Sequence, residues 1–384
     1  MTIYKKKYIN ELLQGDIILH PLYRTDGLLF LTRYKELTSS ILITLKKQFP
    51  SNIQILIVSS INDLETFEVQ KIYQNEKFIK ELESIANLLS IYIKTELDIL
   101  NYKDERAFIS NLHITSIFDK FIHSPIWRNL ERFFDSTYLL KRVPKVKELF
   151  FQTLKKDPLL EILFKQLREF HDVLKIHSMN TVIISISIGL TLELNDEELV
   201  ELAIATLFAD IGFIKYPKSD FVVYLNHGKR HDLLANHIKQ SIEAISTSQF
   251  CKRKNVVFGI LDHHERVDGT GSPKNKKGNE IHLFGKIIAI SQKYDELVGG
   301  YIEETSLVSY QAMQYIWEHR GTMLDEEIIR IFIYRTSIFK INEPFFLPNY
   351  QKGIIIGFSD FINSPLLPIV KMEEGYIRDL SKTI

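Results

Sequence analysis

The chain has 384 residues, 45% of them hydrophobic and 25% charged, with 48 basic side chains cancelling 48 acidic ones. That length exceeds one ordinary core and predicts two or three domains, while the balanced charge excludes a global pull toward DNA or an anionic membrane. A single cysteine, Cys251, excludes an internal disulfide and a thiolate metal cluster; it fits a reducing compartment, and its expected role is that of a buried spectator.

Residues 1–7 are basic and lead into polar residues rather than an apolar stretch, so no signal peptide is read there. Residues 1–75 read as a small α+β regulatory or docking module. Apolar runs at 16–22 and 28–31 flank Asp26-Gly27, a strong hairpin turn pair. Helical spacing follows over 35–49, and strand character returns at 53–58. Residues 76–155 form a helical connecting region, with Phe78, Leu82, Ile85, Leu88 and Leu89 at three-and-four spacing. Pro125 and Pro144 are expected to end helices there, because the residue before proline disfavours the helical well.

Residues 156–335 carry the strongest helical pattern. Asp157-Pro158 opens a helix with an acidic N-cap and a first-turn proline. Asn195 with Glu198 has capping-box spacing and starts a helix that runs to Asp210, just before Gly212. A carboxylate at a helix C-terminus is disfavoured by the macrodipole and calls for a compensating cation. The most apolar run, 182–194, is shorter than the ~20 residues a bilayer needs and is broken by Ser185, Ser187 and Thr191, so no membrane span and a cytoplasmic location are expected. Residues 336–384 read as a small β appendage of short strands and turns.

Asp262-His263-His264-Glu265, followed by Asp268-Gly269-Thr270-Gly271-Ser272-Pro273, forms a tight polar loop. Adjacent histidines alone are as often solvated surface residues as metal ligands; the density of Gly, Asp and Glu around them favours a site. His177, Asp210, His237, His263 and His264 lie on separate predicted helices, and spacing cannot bring them together. A bundle with these groups facing inward would suit a divalent ion.

Several motifs stand in a familiar order: His177-Ser178; Ala209-Asp210-Ile211-Gly212; His237; His263 to Pro273; Gly278-Asn279-Glu280-Ile281-His282; and Tyr294-Asp295. In this order residues 170–372 resemble an HD-GYP domain, a variant of the HD phosphohydrolase fold whose members typically hydrolyse cyclic di-GMP. Residues 3–60 more weakly resemble a small domain that precedes some members. The resemblance implies a mainly α fold: an HD-type helical bundle with a small α+β N-terminal module and a small β C-terminal appendage. It also implies two or three metals sharing a carboxylate, which acidify water and neutralise phosphate oxygens.

Carried over residue by residue, Asp210, His237, His263 and His264 match one metal's ligands, and His177 matches a ligand of the other. That second set is incomplete. Ala209 replaces its histidine and Gln292 its late aspartate, and Val173 stands where some members carry a glutamate for a third metal. On the substrate side Phe213 replaces a lysine, and Glu303-Glu304 replace a basic run. Two acids there would repel an anionic ligand by roughly a kcal/mol per unscreened contact. Arg266 and Lys286 are the candidate substrate-binding cations.

The expectation is therefore a signalling protein of the HD-GYP type with one divalent ion (iron, manganese, zinc or nickel) and a degenerate phosphodiesterase centre. It would act as a regulatory or binding module for cyclic di-GMP or a signalling protein, with no DNA partner. The alternative is an active cyclic di-GMP phosphodiesterase, with donors improvised from Asp262, His171 or Asp172; a less anionic phosphoester is a third substrate class.

Overall fold

A computed structural model of the chain describes residues 3–89, 137–227, 231–301, 306–334, 339–348 and 350–382. Pro125, Glu303 and Glu304 lie outside the described residues. The chain divides into two units, 1–120 and 121–384.

In the first unit β1 (Lys5–Tyr8), β2 (Ile17–Ile18), β3 (Leu22–Tyr23) and β4 (Leu29–Leu31) precede α1 (Ser39–Gln48), β5 (Gln54–Val58), α2 (Ile61–Val69) and α3 (Glu76–Leu89). The sheet order is β1-β5-β2, antiparallel, with β3-β4 a separate hairpin. Its turn falls at Asp26-Gly27: Gly27 has φ +75°, and Asp26 accepts the Leu28 N–H while pairing with buried Arg24 at 2.6 Å. The expected strand over 16–22 is divided at His20-Pro21, because proline cannot donate to a ladder. Strand β1 carries three lysines and no apolar alternation. It forms nonetheless because an edge strand tolerates charge and Lys7 pairs with Asp16 at 2.8 Å.

The second unit is mostly helical: α4 (Thr137–Lys156), α5 (Pro158–Phe170), α6 (Asp172–Thr191), α7 (Asp196–Phe208), α8 (Lys218–His227), α9 (His231–Ala244), α10 (Lys254–Asp262), α11 (Leu283–Gly299), α12 (Ser309–Glu318) and α13 (Glu326–Tyr334). Helix α6 is the axis and packs against α5, α7 and α11; α10 closes the layer between α7 and α11. Asp157 caps α5 by accepting the Leu159 N–H, and the Asn195–Glu198 capping box opens α7, as the sequence predicts. Pro144 does not end a helix; it lies inside α4, whose Val143, Val146, Phe150 and Leu154 are buried on both sides of it. Packing of that face outweighs the hydrogen bond that proline removes.

Length alone does not exclude α6 from a bilayer. The helix starts at Asp172, and its 20 residues are apolar and long enough to cross a membrane, but 94% of that stretch is buried inside the protein. Of the expected connecting region, α3 packs on β5 in the first unit, and α4 packs on α5 and α7 in the second. The chain ends in an antiparallel meander, β6 (Pro344–Phe346), β7 (Lys352–Phe358), β8 (Pro368–Met372) and β9 (Ile377–Asp379). Tyr310 of α12 packs against its core of Phe345, Leu347, Ile355, Val370, Met372 and Leu380.

His20 gives the first unit a measurable pH dependence. Its Nε2 accepts the Leu56 N–H at 3.2 Å, which leaves the proton on Nδ1, facing the Pro21 carbonyl at 3.1 Å. Burial pushes its pKa down to about 4. The unfolded chain binds this proton below about pH 6.5 and the folded chain does not. Stability is therefore full above that pH and falls by about 3 kcal/mol as pH drops toward 4. Nuclear magnetic resonance titration should place His20 near 4, with unfolding free energy declining over that window; titration near 6.5 would contradict this placement.

Candidate metal centre

Asp210 follows α7 and leads into a 3-10 turn, Ile211–Lys215. Gly212 makes this possible. A Cβ there would stand 2.0 Å from the His237 carbonyl oxygen, so only glycine lets the turn press against α9. Ser241 pins the contact by donating to the Ala209 carbonyl at 2.6 Å and accepting the Gly212 N–H at 2.9 Å. The clip brings His237, four residues before Ser241, onto the Asp210 carboxylate.

The fold gathers Asp210, His237, His263 and His264, each offering one ligand atom within 4.8 Å of the others. Asp210 Oδ1 stands 3.2 Å from His237 Nε2 and 3.5 Å from His263 Nε2. His263 Nδ1 is committed to the Ile260 carbonyl at 2.6 Å, which leaves Nε2 as the inward donor. Burial would raise the Asp210 pKa, but hydrogen bonds from His237 and His263 hold it well below the usual carboxylate range. Burial, followed by the neighbouring His263 and His237, keeps His264 neutral, the form that ligates metal. Three imidazoles and one carboxylate, with two Nε2 atoms only 3.4 Å apart, are a donor set that fits a divalent transition metal.

His177 does not join this group of four. Its Nδ1 contacts Asp295 Oδ2 at 2.7 Å and its Nε2 lies 3.7 Å from Asp210 Oδ2. Burial lowers its pKa, but the hydrogen bond and charge of Asp295 outweigh that and raise it. Asn180 completes the buried Asp295 by donating to Oδ1 at 3.0 Å. On the same side of Asp210, Gln292 Nε2 donates to Oδ2 at 2.6 Å. Ala209 is fully buried and offers only its carbonyl, already taken by Ser241.

A small cavity opens over the cluster. One wall is apolar: Val173, Leu174, Phe213, Phe221, Tyr224 and Leu225. Phe213 lies flat on His237, ring centroids 4.3 Å apart and planes 9° from parallel. The polar end is formed by His177, Asp210, His264, Gln292 and Glu296, with Tyr301 edge-on to His177. Neither candidate substrate cation lines it. Lys286 is paired with Asp325 at 2.8 Å, and Arg266 donates to the Glu265 carbonyl at 3.0 Å.

The other acids of the loop hold backbone. Asp262 takes Lys276 on both oxygens at 2.7 Å and the His282 N–H at 2.9 Å. Glu265 accepts the N–H groups of Lys274 and Lys276. His171 caps α6, its Nδ1 accepting the Val173 N–H. Asp262, His171 and Asp172 stand outside the four-residue cluster. Cys251 is half-buried rather than enclosed, since it lies in a short 3-10 turn ahead of α10. Sequence reasoning missed Asp295, Asn180, Ser241 and Glu296 as parts of the centre. Tyr294-Asp295 was visible as a motif, but the other three sit on helices with no local signal.

A helical bundle that turns histidines from different helices onto one aspartate forms a candidate metal centre. A family model described as HD domain matches residues 164–328. The cyclic di-GMP phosphodiesterase response regulator RpfG of Xanthomonas campestris is 28% identical over 142 residues, 36% of this chain and 37% of that protein. The cyclic di-GMP phosphodiesterase PdeB of Borreliella burgdorferi is 25% identical over 160 residues, 41% of each chain. The structure of Bd1817, an HDG"Y"P protein from Bdellovibrio bacteriovorus, aligns over 86% of this chain and 98% of that one with TM-score 0.36 and 14% identity. The chain spans about two fifths of the length of those curated relatives. Over this segment the chain is similar to HD domain proteins, cyclic di-GMP phosphodiesterases among them.

The Gly212–Ser241 clip is testable. Gly212→Ala should cost about 2 kcal/mol or more by overpacking and Ser241→Ala about 1 kcal/mol, read by urea unfolding. Both should lower metal content, Gly212→Ala more. Wild-type stability in Gly212→Ala would show that the close approach is not a constraint.

Proposed function

We propose that this protein is a regulatory member of the cyclic di-GMP phosphodiesterase family, in which the HD domain holds one divalent ion and turns over cyclic di-GMP weakly or not at all. The observation that carries this reading is the Gln292 Nε2 to Asp210 Oδ2 hydrogen bond of 2.6 Å. A second ion would need that oxygen, and a neutral amide donor occupies its approach. Asp210, His237, His263 and His264 would hold the remaining ion, which when bound would polarise a phosphoryl oxygen and acidify a water.

The protein's own residues support the same conclusion. Ala209 has no side-chain donor. Phe213 places a ring where the resemblance has a lysine, so anionic substrate loses a cation as well as a metal. Loss of such charge stabilisation costs several kcal/mol, hence at least about a hundredfold in rate. Cyclic di-GMP or a signalling protein is the partner in this reading. A cytoplasmic location is part of it and rests on the single cysteine. The intact set of four ligands supports the alternative, an active cyclic di-GMP phosphodiesterase that works with one ion.

Turnover of cyclic di-GMP by metal-loaded protein separates the two. The regulatory reading expects wild type to match Asp210→Ala and His264→Ala at background, and expects Ala209→His with Gln292→Asp and Phe213→Lys to gain both a second ion and activity. Robust wild-type turnover abolished by Asp210→Ala would establish the alternative.

A further inference from the structure

The cavity over the cluster is too small for anything but water. It encloses room for about one or two waters, and a phosphoryl group is several times larger. Beside His177 the space is taken by Tyr301, which is 4% exposed and lines the cavity together with Asp210, His264 and Gln292. Its ring stands edge-on to His177, with centroids 5.6 Å apart and planes at 76°.

The end of α11 is shaped to seat that ring. Gly300 caps the helix in the left-handed conformation, φ +61°, and donates its N–H to the Glu296 carbonyl at 2.8 Å. Glycine adopts this turn without strain, and the turn sends the next residue back over the helix end. Gly299 supplies the space. It lies inside α11, where alanine would suit the backbone better, yet a Cβ there would stand 2.4 Å from the Tyr301 ring. Any larger residue at 299 would push the ring off its seat against His177.

We propose that Tyr301 is a plug that sets the size of what reaches the Asp210 centre. With its ring seated, water enters and a phosphate-sized ligand does not; a swing of the ring about the Gly299–Gly300 turn opens the chamber. The proposal rests on the cluster being the ligand-binding centre of the reading above, and it gives that centre a regulated entrance. Weak turnover then has a source separate from the number of ions held.

Chelator access tests the plug. Zinc-loaded full-length protein is mixed with excess ethylenediaminetetraacetate, and zinc release is followed against chelator concentration. Wild type should release zinc slowly, at a rate that levels off with chelator. Tyr301→Ala should release it at least about tenfold faster, at a rate that keeps rising with chelator. Gly299→Ala, which keeps the tyrosine but takes its seat, should behave like Tyr301→Ala and carries the comparison if that variant fails to fold. Tyr301→Phe keeps the ring and should match wild type.

A second readout needs no metal. In metal-free protein, carbethoxylation of His177 and His264 by diethyl pyrocarbonate, located by peptide mass, should quicken by at least about tenfold in both opened variants, while His282, outside the chamber, is unchanged. Equal rates in wild type and the opened variants would overturn the proposal. So would Tyr301→Phe as fast as Tyr301→Ala, or faster release with no dependence on chelator, the mark of a residue that only supports the fold. Protein that fails to load zinc but shows the expected histidine pattern would overturn the metal reading and leave the plug standing.

Discussion

One buried carboxylate organises the second unit. Asp210 sits at the end of α7, where the helix dipole opposes its charge, and is compensated on both oxygens: His237 and His263 on one, Gln292 on the other. With His177 of α6 nearby, groups from four segments of the bundle converge on it. Removing any one partner leaves buried charge or a buried donor unmatched, which is costly in a water-excluded interior. The bundle and the site are therefore a single structure.

The two oxygens of Asp210 face different chemistry. On the Oδ1 side lie the His237 and His263 imidazoles with their Nε2 atoms turned inward, a surrounding that fits a metal. On the Oδ2 side an amide donor takes the hydrogen bond, and the neighbouring Ala209 and Phe213 contribute no ligand. The asymmetry follows from side-chain identity at three positions, within the segment that matches the HD domain model.

Much of the architecture was legible in the sequence because it is written locally. Asp157-Pro158 and Asn195 with Glu198 set helix starts through caps, and Asp26-Gly27 set a hairpin through one positive φ. The metal-type cluster was legible through motif order, which carries long-range information that periodicity lacks. What stayed hidden depends on packing between distant segments. Lys5–Tyr8 is a strand because β5 offers it an edge, and Pro144 stays helical because its neighbours are buried. Lys286 is spent on Asp325, a pairing across 39 residues that no local pattern announces. His177 resembled a metal ligand by position, and its partner Asp295 emerges only in three dimensions.

The central claim is that Asp210 can serve one ion and not two. Calorimetric titration of metal-stripped protein with manganese or zinc, checked by elemental analysis after dialysis, tests it directly. The account predicts saturation at one equivalent per chain, with Gln292→Ala leaving that stoichiometry unchanged. Two tightly bound equivalents in wild type would show that the Gln292 amide yields the second oxygen and would contradict the account.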